Sequence, residues 1–591
     1  MKKNPSLHDS NAMTPLPMTR KEMKARRWDA IDILLISGDA YVDHPSFGTA
    51  LLARVLEKEG FRVGIIAQPR WTTPDDFTVM GRPRLFAGIT AGAVDSMLAH
   101  YTAFRKLRRD DAYTPGNVHG KRPNRASLVY TSMIRNAFPG LPVVLGGIEA
   151  SMRRASHYDF WTDKIRRSIL LDSKADLLVC GMGERAIVDI AHRLNGSDPY
   201  EKELLWGIPG TAFACSSQTD MSLYPYFPDP EHLEELPSHE AILEDAAALM
   251  GATLTIEKHS RQQGQWLIQK AGNQQVFFTS PALPLTTPEL DALYSLPFTR
   301  RPHPHYKAPI PAAEMIQFSI TAHRGCAAAC TFCALTQHQG RQIQSRSTQS
   351  IVDEMNEFLK HPDWKGVISD LGGPTANMWG ARCLSEPSEC RREDCLFPRH
   401  CPHFKIDDES LVQLLHEVAA IQGVKHLRIS SGIRYDLTDE RHTFLRELIH
   451  EFVGGQLKVA PEHLCDPVLR LMRKPSMKVF EQFLHFFEEE SRKAGKTQFL
   501  VPYLISAFPG CTDGDMKMLA EWLEKRNWRP RQVQCFIPTP GTVATAMFYA
   551  KIDTHGKRIY VATSDKQRMR QHHRLIPEET GDSGNRNPRS R

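Results

Sequence analysis

A chain of 591 residues exceeds what a single hydrophobic core supports, so more than one domain is expected. Apolar content of 41% and charged content of 24% are those of soluble globular protein, and 74 basic against 68 acidic side chains leave +6, too little to mark a nucleic-acid binder. No apolar run reaches the roughly 18 residues of a membrane span, and the basic N-terminus (Lys2, Lys3, Arg20, Lys21) lacks a signal peptide's apolar stretch. No membrane partner and a cytoplasmic location are expected.

In chain order, residues 1–29 read as a mobile basic arm with no periodic apolar face. Strand-like runs follow at 31–37, 61–67, 84–90, 141–145 and 175–180, with helical segments between several of them. This alternation predicts a doubly wound parallel sheet, a Rossmann-like domain over 30–205. Ligands of such sheets bind beyond the strand C-termini, which puts Gly38–Gly48, Gly146–Glu149 and Gly181–Glu184 on one rim. Residues 206–312, rich in proline and aromatics, read as a connecting or cover region with a helix near 238–250 and a hairpin or three-stranded patch at 253–279.

From 313 to 545 strand and helix alternate again. Six strands are expected at 315–321, 366–370, 424–430, 456–460, 498–504 and 531–537, and helices at 348–359, 408–420, 439–452, 478–493 and 513–525. Ser347 and Asp513 suit helix N-caps. Six parallel strands with crossover helices predict a partial, TIM-like (β/α)6 barrel whose active face lies at the strand C-termini. A C-terminal extension, 546–591, carries one strand near 557–562, a basic helix at 565–573 and a disordered tail.

Seven of the twelve cysteines lie between 326 and 401, a clustering that favours metal ligation over a disulfide framework. Cys326, Cys330 and Cys333 form a C-x3-C-x2-C loop directly after the first barrel strand. A cubane cluster takes four ligands, so three thiolates leave one iron of a 4Fe-4S cluster open, and an open position marks a catalytic site. S-adenosyl-L-methionine (SAM), with its amino and carboxylate groups, is the small molecule suited to that iron. A second group, Cys383, Cys390, Cys395 and Cys401, falls in the loop 376–404 after strand two, with His400 and His403 beside it. Four such ligands suit zinc or an auxiliary iron–sulfur cluster, a second metal centre near the same face. Ser430 and Arg434 after strand three, Pro461–His463 after strand four, Ser506–Gly510 after strand five and Pro538–Thr542 after strand six are further active-face candidates, the first two as SAM or substrate contacts.

The cysteine spacing is the signature of the radical SAM superfamily. Gly38–Gly48, Gly146–Ser151, Pro281–Leu285, His323–Cys326, Ala460–His463 and Pro538–Thr542 together make the chain, over 30–575, similar to the YgiQ-type radical SAM family. The resemblance implies an enzyme that cleaves SAM reductively at the cluster to give a 5′-deoxyadenosyl radical. Its substrate is unknown, a macromolecule among the candidates, and its partner is a one-electron reductant such as flavodoxin or ferredoxin. By the same resemblance Phe332 lines the adenine site, and Gly372-Gly373 meets the SAM amino group, although Pro374 stands where glutamate usually follows. The N-terminal segments resemble a cobalamin-binding-type domain, but His44 directly follows Asp43 and breaks the D-x-H-x-x-G spacing, so cobalamin is not expected. Two other readings are a non-catalytic iron–sulfur carrier or redox sensor, and RNA modification as in methylthiotransferases. Against the latter, only Cys180 and Cys215 precede residue 300, too few for those enzymes' additional cluster.

Overall fold

The structure is a computed structural model that describes residues 14–196, 201–385, 390, 392–530 and 533–576. The expectations for residues 1–13 and for the tail from 577 lie outside the described residues. Within the stretch read as a mobile arm, Arg20–Ala25 is a helix. Thr19 accepts from Glu22 N–H while Glu22 accepts from the Thr19 backbone, and Leu16 and Met23 are buried.

The five expected strands form the start of a sheet: β1 (Ile33–Ser37), β2 (Val63–Ala67), β3 (Phe86–Thr90), β4 (Val143–Leu145) and β5 (Leu177–Val179). They are parallel, in the order β2-β1-β3-β4-β5. Side chains alternate across the pleat, so Ile33 and Leu35 join one apolar layer and Leu34 and Ile36 the other. Helices Gly48–Lys58 and Glu184–Asn195 cover the first face; helix Ala126–Ala137 covers the second. Each fully buried Ile or Leu adds about 1.5–3 kcal/mol to that packing.

Residues 206–312 do not form a separate cover; they complete this sheet. Strands β6 (Thr211–Ser216), β7 (Leu233–Glu235), β8 (Trp266–Ala271) and β9 (Gln274–Phe278) extend it to nine strands, continuing β5-β6-β9-β8-β7. β6 is antiparallel to β5, β9 to β6, and β8 to β9. The β8–β9 turn at Gly272-Asn273 is as expected, whereas 253–259 belong to helix Ala246–His259.

The second domain is the six-strand partial barrel. Its strands are β10 (Ser319–Thr321), β11 (Val367–Ile368 and Asp370–Gly372), β12 (His426–Leu427), β13 (Gln456–Glu462), β14 (Phe499–Ser506) and β15 (Val533–Cys535). Parallel pairing runs β10–β11–β12, passes to β13 through the bridge Ile433–Val459, and continues β13–β14–β15. β10 is shorter than expected because Pro311 starts a helix that runs through Ile316. Helices Thr348–Lys360, Asp408–Ala419, Met477–Lys493 and Asp513–Lys525 fall where the periodicity puts them. Ser347 is an N-cap, but Thr512 replaces Asp513 as the cap of the last, in a capping box with Asp515. No strand forms at 557–562, where only the bridge Ile552–Arg558 is made; helix Asp565–His573 is present. Among the described residues no helix is long and apolar enough to cross a membrane.

Candidate active site

The two domains meet rim to rim, at the C-terminal ends of both sets of strands. Glu184, just past β5, pairs with Arg324 in the barrel at 2.5 Å, and both are buried. A Cβ on Gly181 would lie 2.8 Å from the carbonyl of His338 in the cysteine loop, and one on Gly541 2.8 Å from that of Met152. Both glycines have positive φ, so backbone meets backbone here with no space for a side chain.

The cysteine loop is closed at its base by a short antiparallel ladder, His323-Arg324 against Gln344-Ser345. Cys326 N–H donates to Gly340 O at 3.2 Å, and Cys333 N–H to Cys330 O at 3.0 Å. Thr331 ties the loop to the helix after β13, its N–H to Met472 O and its hydroxyl to Leu471 O. The three thiols lie close enough to perturb one another. Burial, and then the neighbouring Cys330, pushes Cys326 up to about 11 and Cys333 up to about 12. Without a cation these thiols therefore stay protonated; metal ligation is what would ionise them.

A cation is aimed at them, Arg434, whose Nη1 lies 3.8 Å from Cys330 Sγ, while the Asp394 and Glu462 carboxylates act on Cys326 and Cys333 in the opposite sense. Asp436 fixes the arginine through Nε at 2.9 Å and Nη2 at 2.5 Å, and Asn377 accepts from its backbone N–H. Burial pushes the Asp436 carboxyl up, but the Arg434 charge together with hydrogen bonds from His400 and Arg434 holds the group below its ordinary value. Phe332 packs edge-on to Phe508, centroids 6.2 Å apart.

Gly372 and Gly373 end β11 beside this loop. A Cβ on Gly373 would fall 2.5 Å from His323 Cε1, and one on Gly372 2.1 Å from Ser431 Oγ, so both positions need glycine. His323 is fully buried with neither ring nitrogen partnered, and burial lowers it to about 4, leaving it neutral. The sequence motif contained His323 but gave it no role; its orphaned nitrogens are a signal only the fold reveals. Ser430 is exposed on the same rim, its hydroxyl spent on Ser369 O. At the ends of β13 and β14, Glu462 and Ala507 adopt φ of 68° and 57°, strained for non-glycine residues.

The second cysteine loop lies directly on the first. Ala329 N–H donates to Asp394 at 2.9 Å, and Arg341 Nη2 reaches Cys395 Sγ at 3.7 Å and Ala327 O at 3.4 Å. Cys401 is buried, Cys395 half-buried, and Cys383 and Cys390 are exposed. Among the described residues no three or more His, Cys, Asp or Glu side chains converge as ligands of one metal ion. A zinc bound at about 2.3 Å Zn–S needs such convergence, whereas a cubane presents separate irons to separate thiolates. The triplet Cys326, Cys330, Cys333, with a buried cation beside it and an orphaned imidazole next to the glycine pair, fits a three-thiolate cubane with a small-molecule ligand.

The N-terminal rim is built differently. The crevice between the ends of β1 and β3, where such a sheet reverses strand order and binds its ligand, is filled by Arg122, which pairs with Asp39 and Asp111 and donates to Ala91 O. His44 is buried, with Nδ1 against Ser46 N–H at 3.1 Å and Nε2 against Arg300 at 2.9 Å.

A cysteine loop after the first strand of a partial barrel, facing a doubly wound N-terminal sheet, defines a radical SAM protein, and the comparisons agree. The family model "Radical SAM N-terminal" matches residues 15–319, a span that includes the strands from 206 to 312. A UPF0313 protein of Geobacter sulfurreducens is 46% identical over 563 residues, 95% of this chain and 91% of its own. The UPF0313 protein YgiQ of Escherichia coli is 45% identical over 609 aligned residues, 94% of this chain and 82% of its own. The chain belongs to the UPF0313 (YgiQ-type) family of the radical SAM superfamily. Among solved structures, the radical SAM methyltransferase TsrM of Kitasatospora setae, with cobalamin and a [4Fe-4S] cluster bound, aligns at TM-score 0.49 and 14% identity over 87% of this chain and 77% of its own. The cobalamin-dependent SAM radical enzyme OxsB aligns at 0.45 and 13% over 88% and 55%.

Proposed function

We propose that this protein is a radical SAM enzyme with Cys326, Cys330 and Cys333 as the thiolate ligands of a 4Fe-4S cluster whose remaining iron takes SAM. When bound, cluster and SAM supply one-electron cleavage of the sulfonium and a 5′-deoxyadenosyl radical. The carrying observation is the convergence at one strand end of three neighbouring cysteines, the fixed Arg434 cation and the unpartnered His323 beside Gly373. Arg434 stabilises negative charge on the thiolates without supplying a proton, because Asp436 keeps it charged. Gly373 would offer backbone to a ligand amino group, the Gly372 carbonyl being spent on Ala322 N–H, Phe332 offers an aromatic wall, and buried neutral His323 offers one donor and one acceptor. Arg324, on Glu184, ties the start of the cysteine loop to the N-terminal rim, and the second cysteine loop covers it from the other side. The electron comes from a flavodoxin- or ferredoxin-type donor.

Anaerobic reconstitution followed by dithionite and SAM tests the reading: 5′-deoxyadenosine forms with the wild type. Full iron loading without 5′-deoxyadenosine would favour a non-catalytic electron carrier. The second metal centre at Cys383, Cys390, Cys395 and Cys401 is tested by metal analysis of a C395A/C401A variant. Loss of metal beyond the first cluster supports it; unchanged metal content removes it.

A further inference from the structure

At the seam between the domains, the end of helix Gly147–Met152, helix Ala246–His259, Gln337 of the cysteine loop and Gly541–Ala546 enclose a crevice. It has room for one or two water-sized groups. Arg154 lines it, and among the described residues this arginine is unlike every other buried one. Each of the others holds a carboxylate, as Arg122 holds Asp111, Arg324 Glu184, Arg434 Asp436 and Arg473 Glu257. Arg154 is 7% exposed, and among the described residues it makes one hydrogen bond, from Nη1 to Ser151 O at 2.9 Å, and no ion pair. A guanidinium cannot give up its proton in a protein, and an uncompensated buried charge costs several kcal/mol. Its ionisable neighbours supply no negative charge near neutral pH: burial pushes the Cys180 thiol up to about 11 and lowers His259 and His338 to about 4.

The other polar groups on the wall are neutral, and most of their donors are spent. Thr253, Thr542 and Thr545 donate their hydroxyl protons to backbone carbonyls, and Gln337 Nε2 donates to Gly541 O at 2.8 Å. The charged donors that remain therefore belong to Arg154, in the planar fork that matches two oxygens side by side.

We propose that Arg154 binds a carboxylate group, the rest of the ligand lying towards the opening, in the crevice between the N-terminal sheet and the barrel. The room available suits the two oxygens of a carboxylate and not the four of a phosphate. The site is separate from the cysteine triplet, and the inference does not depend on SAM cleavage. It also assigns Arg154 a stability cost in the absence of the anion, a mark of a binding residue and not of a packing one.

The test uses the full-length reconstituted protein, melted in acetate, phosphate and chloride at equal ionic strength, as wild type, R154M and R154K. Acetate is expected to raise the wild-type Tm above its value in chloride. That gain is expected to vanish in R154M and survive in part in R154K, and R154M should melt above wild type in chloride. An equal acetate gain in wild type and R154M, or no gain in either, would overturn the site. An Arg154-dependent gain in phosphate as large as in acetate would overturn the assignment to a carboxylate. If R154M does not fold, R154K decides alone, because an acetate gain undiminished by that change contradicts a bidentate guanidinium site.

Discussion

The two rims that face each other have the same topological position and opposite chemistry. On the N-terminal rim, Arg154 apart, the charges answer one another: Arg122 fills the crevice between β1 and β3 and pairs with Asp39 and Asp111, and Arg54 pairs with Asp43. On the barrel rim groups are left unanswered. His323 has two unpartnered nitrogens, three thiols share one loop, and Glu462 and Ala507 hold positive φ. Buried polar groups in a folded protein are normally satisfied, so unanswered ones mark where a ligand completes the structure.

The sharpest way to break this contrast is C330A. It should remove the iron of the first cluster and bring 5′-deoxyadenosine to background while far-ultraviolet circular dichroism stays unchanged; retention of both would place the site elsewhere. The opposite rim gives the opposite response. R122M leaves Asp39 and Asp111 without their cation and should cost about 3–5 kcal/mol of stability by urea unfolding. Its SAM cleavage per folded molecule should stay near wild type.

Next in size is a pH effect on the same triad. Burial raises Asp39 from 3.8 to about 6 despite the opposing Arg122 charge. A carboxyl raised on folding contributes stability that is complete below its unfolded value and is lost as pH rises through the folded one. Relative to D39N, the wild type should therefore lose up to about 3 kcal/mol between pH ~4 and pH ~6, read from urea midpoints across that range. The smallest expected effect is R434M, which removes a cation 3.8 Å from Cys330 Sγ. The cluster's reduction potential should fall by about 60 mV, the one-electron equivalent of a tenfold change, with iron content unchanged.

What the sequence revealed and what it hid divide along one physical line. The apolar period of the barrel helices and the run-and-turn pattern of β1 to β5 are local, and the structure places them within a few residues of the expectation. The cysteine triplet and Gly372-Gly373 were equally legible, because their spacing is contained in short stretches. Strand pairing is not local. β6 to β9 are short, separated by prolines and a helix, and nothing within each strand says that it continues a sheet begun at Ile33. The helix Arg20–Ala25 escaped for another reason. Its capping box, Thr19 to Glu22, is present, but six residues are too few to show an amphipathic period. The significance of His323, Arg154 and Arg122 depends on which partners they lack or find across the fold, which no spacing encodes.

The account turns on one claim, that the iron not held by Cys326, Cys330 or Cys333 is open to SAM. The electron paramagnetic resonance spectrum of the reconstituted, dithionite-reduced protein before and after SAM addition tests this directly. A SAM-dependent change in the cluster signal, absent when Gly373→Ala narrows the approach beside His323, is the predicted result. A fully loaded cluster whose spectrum SAM leaves unaltered would contradict it.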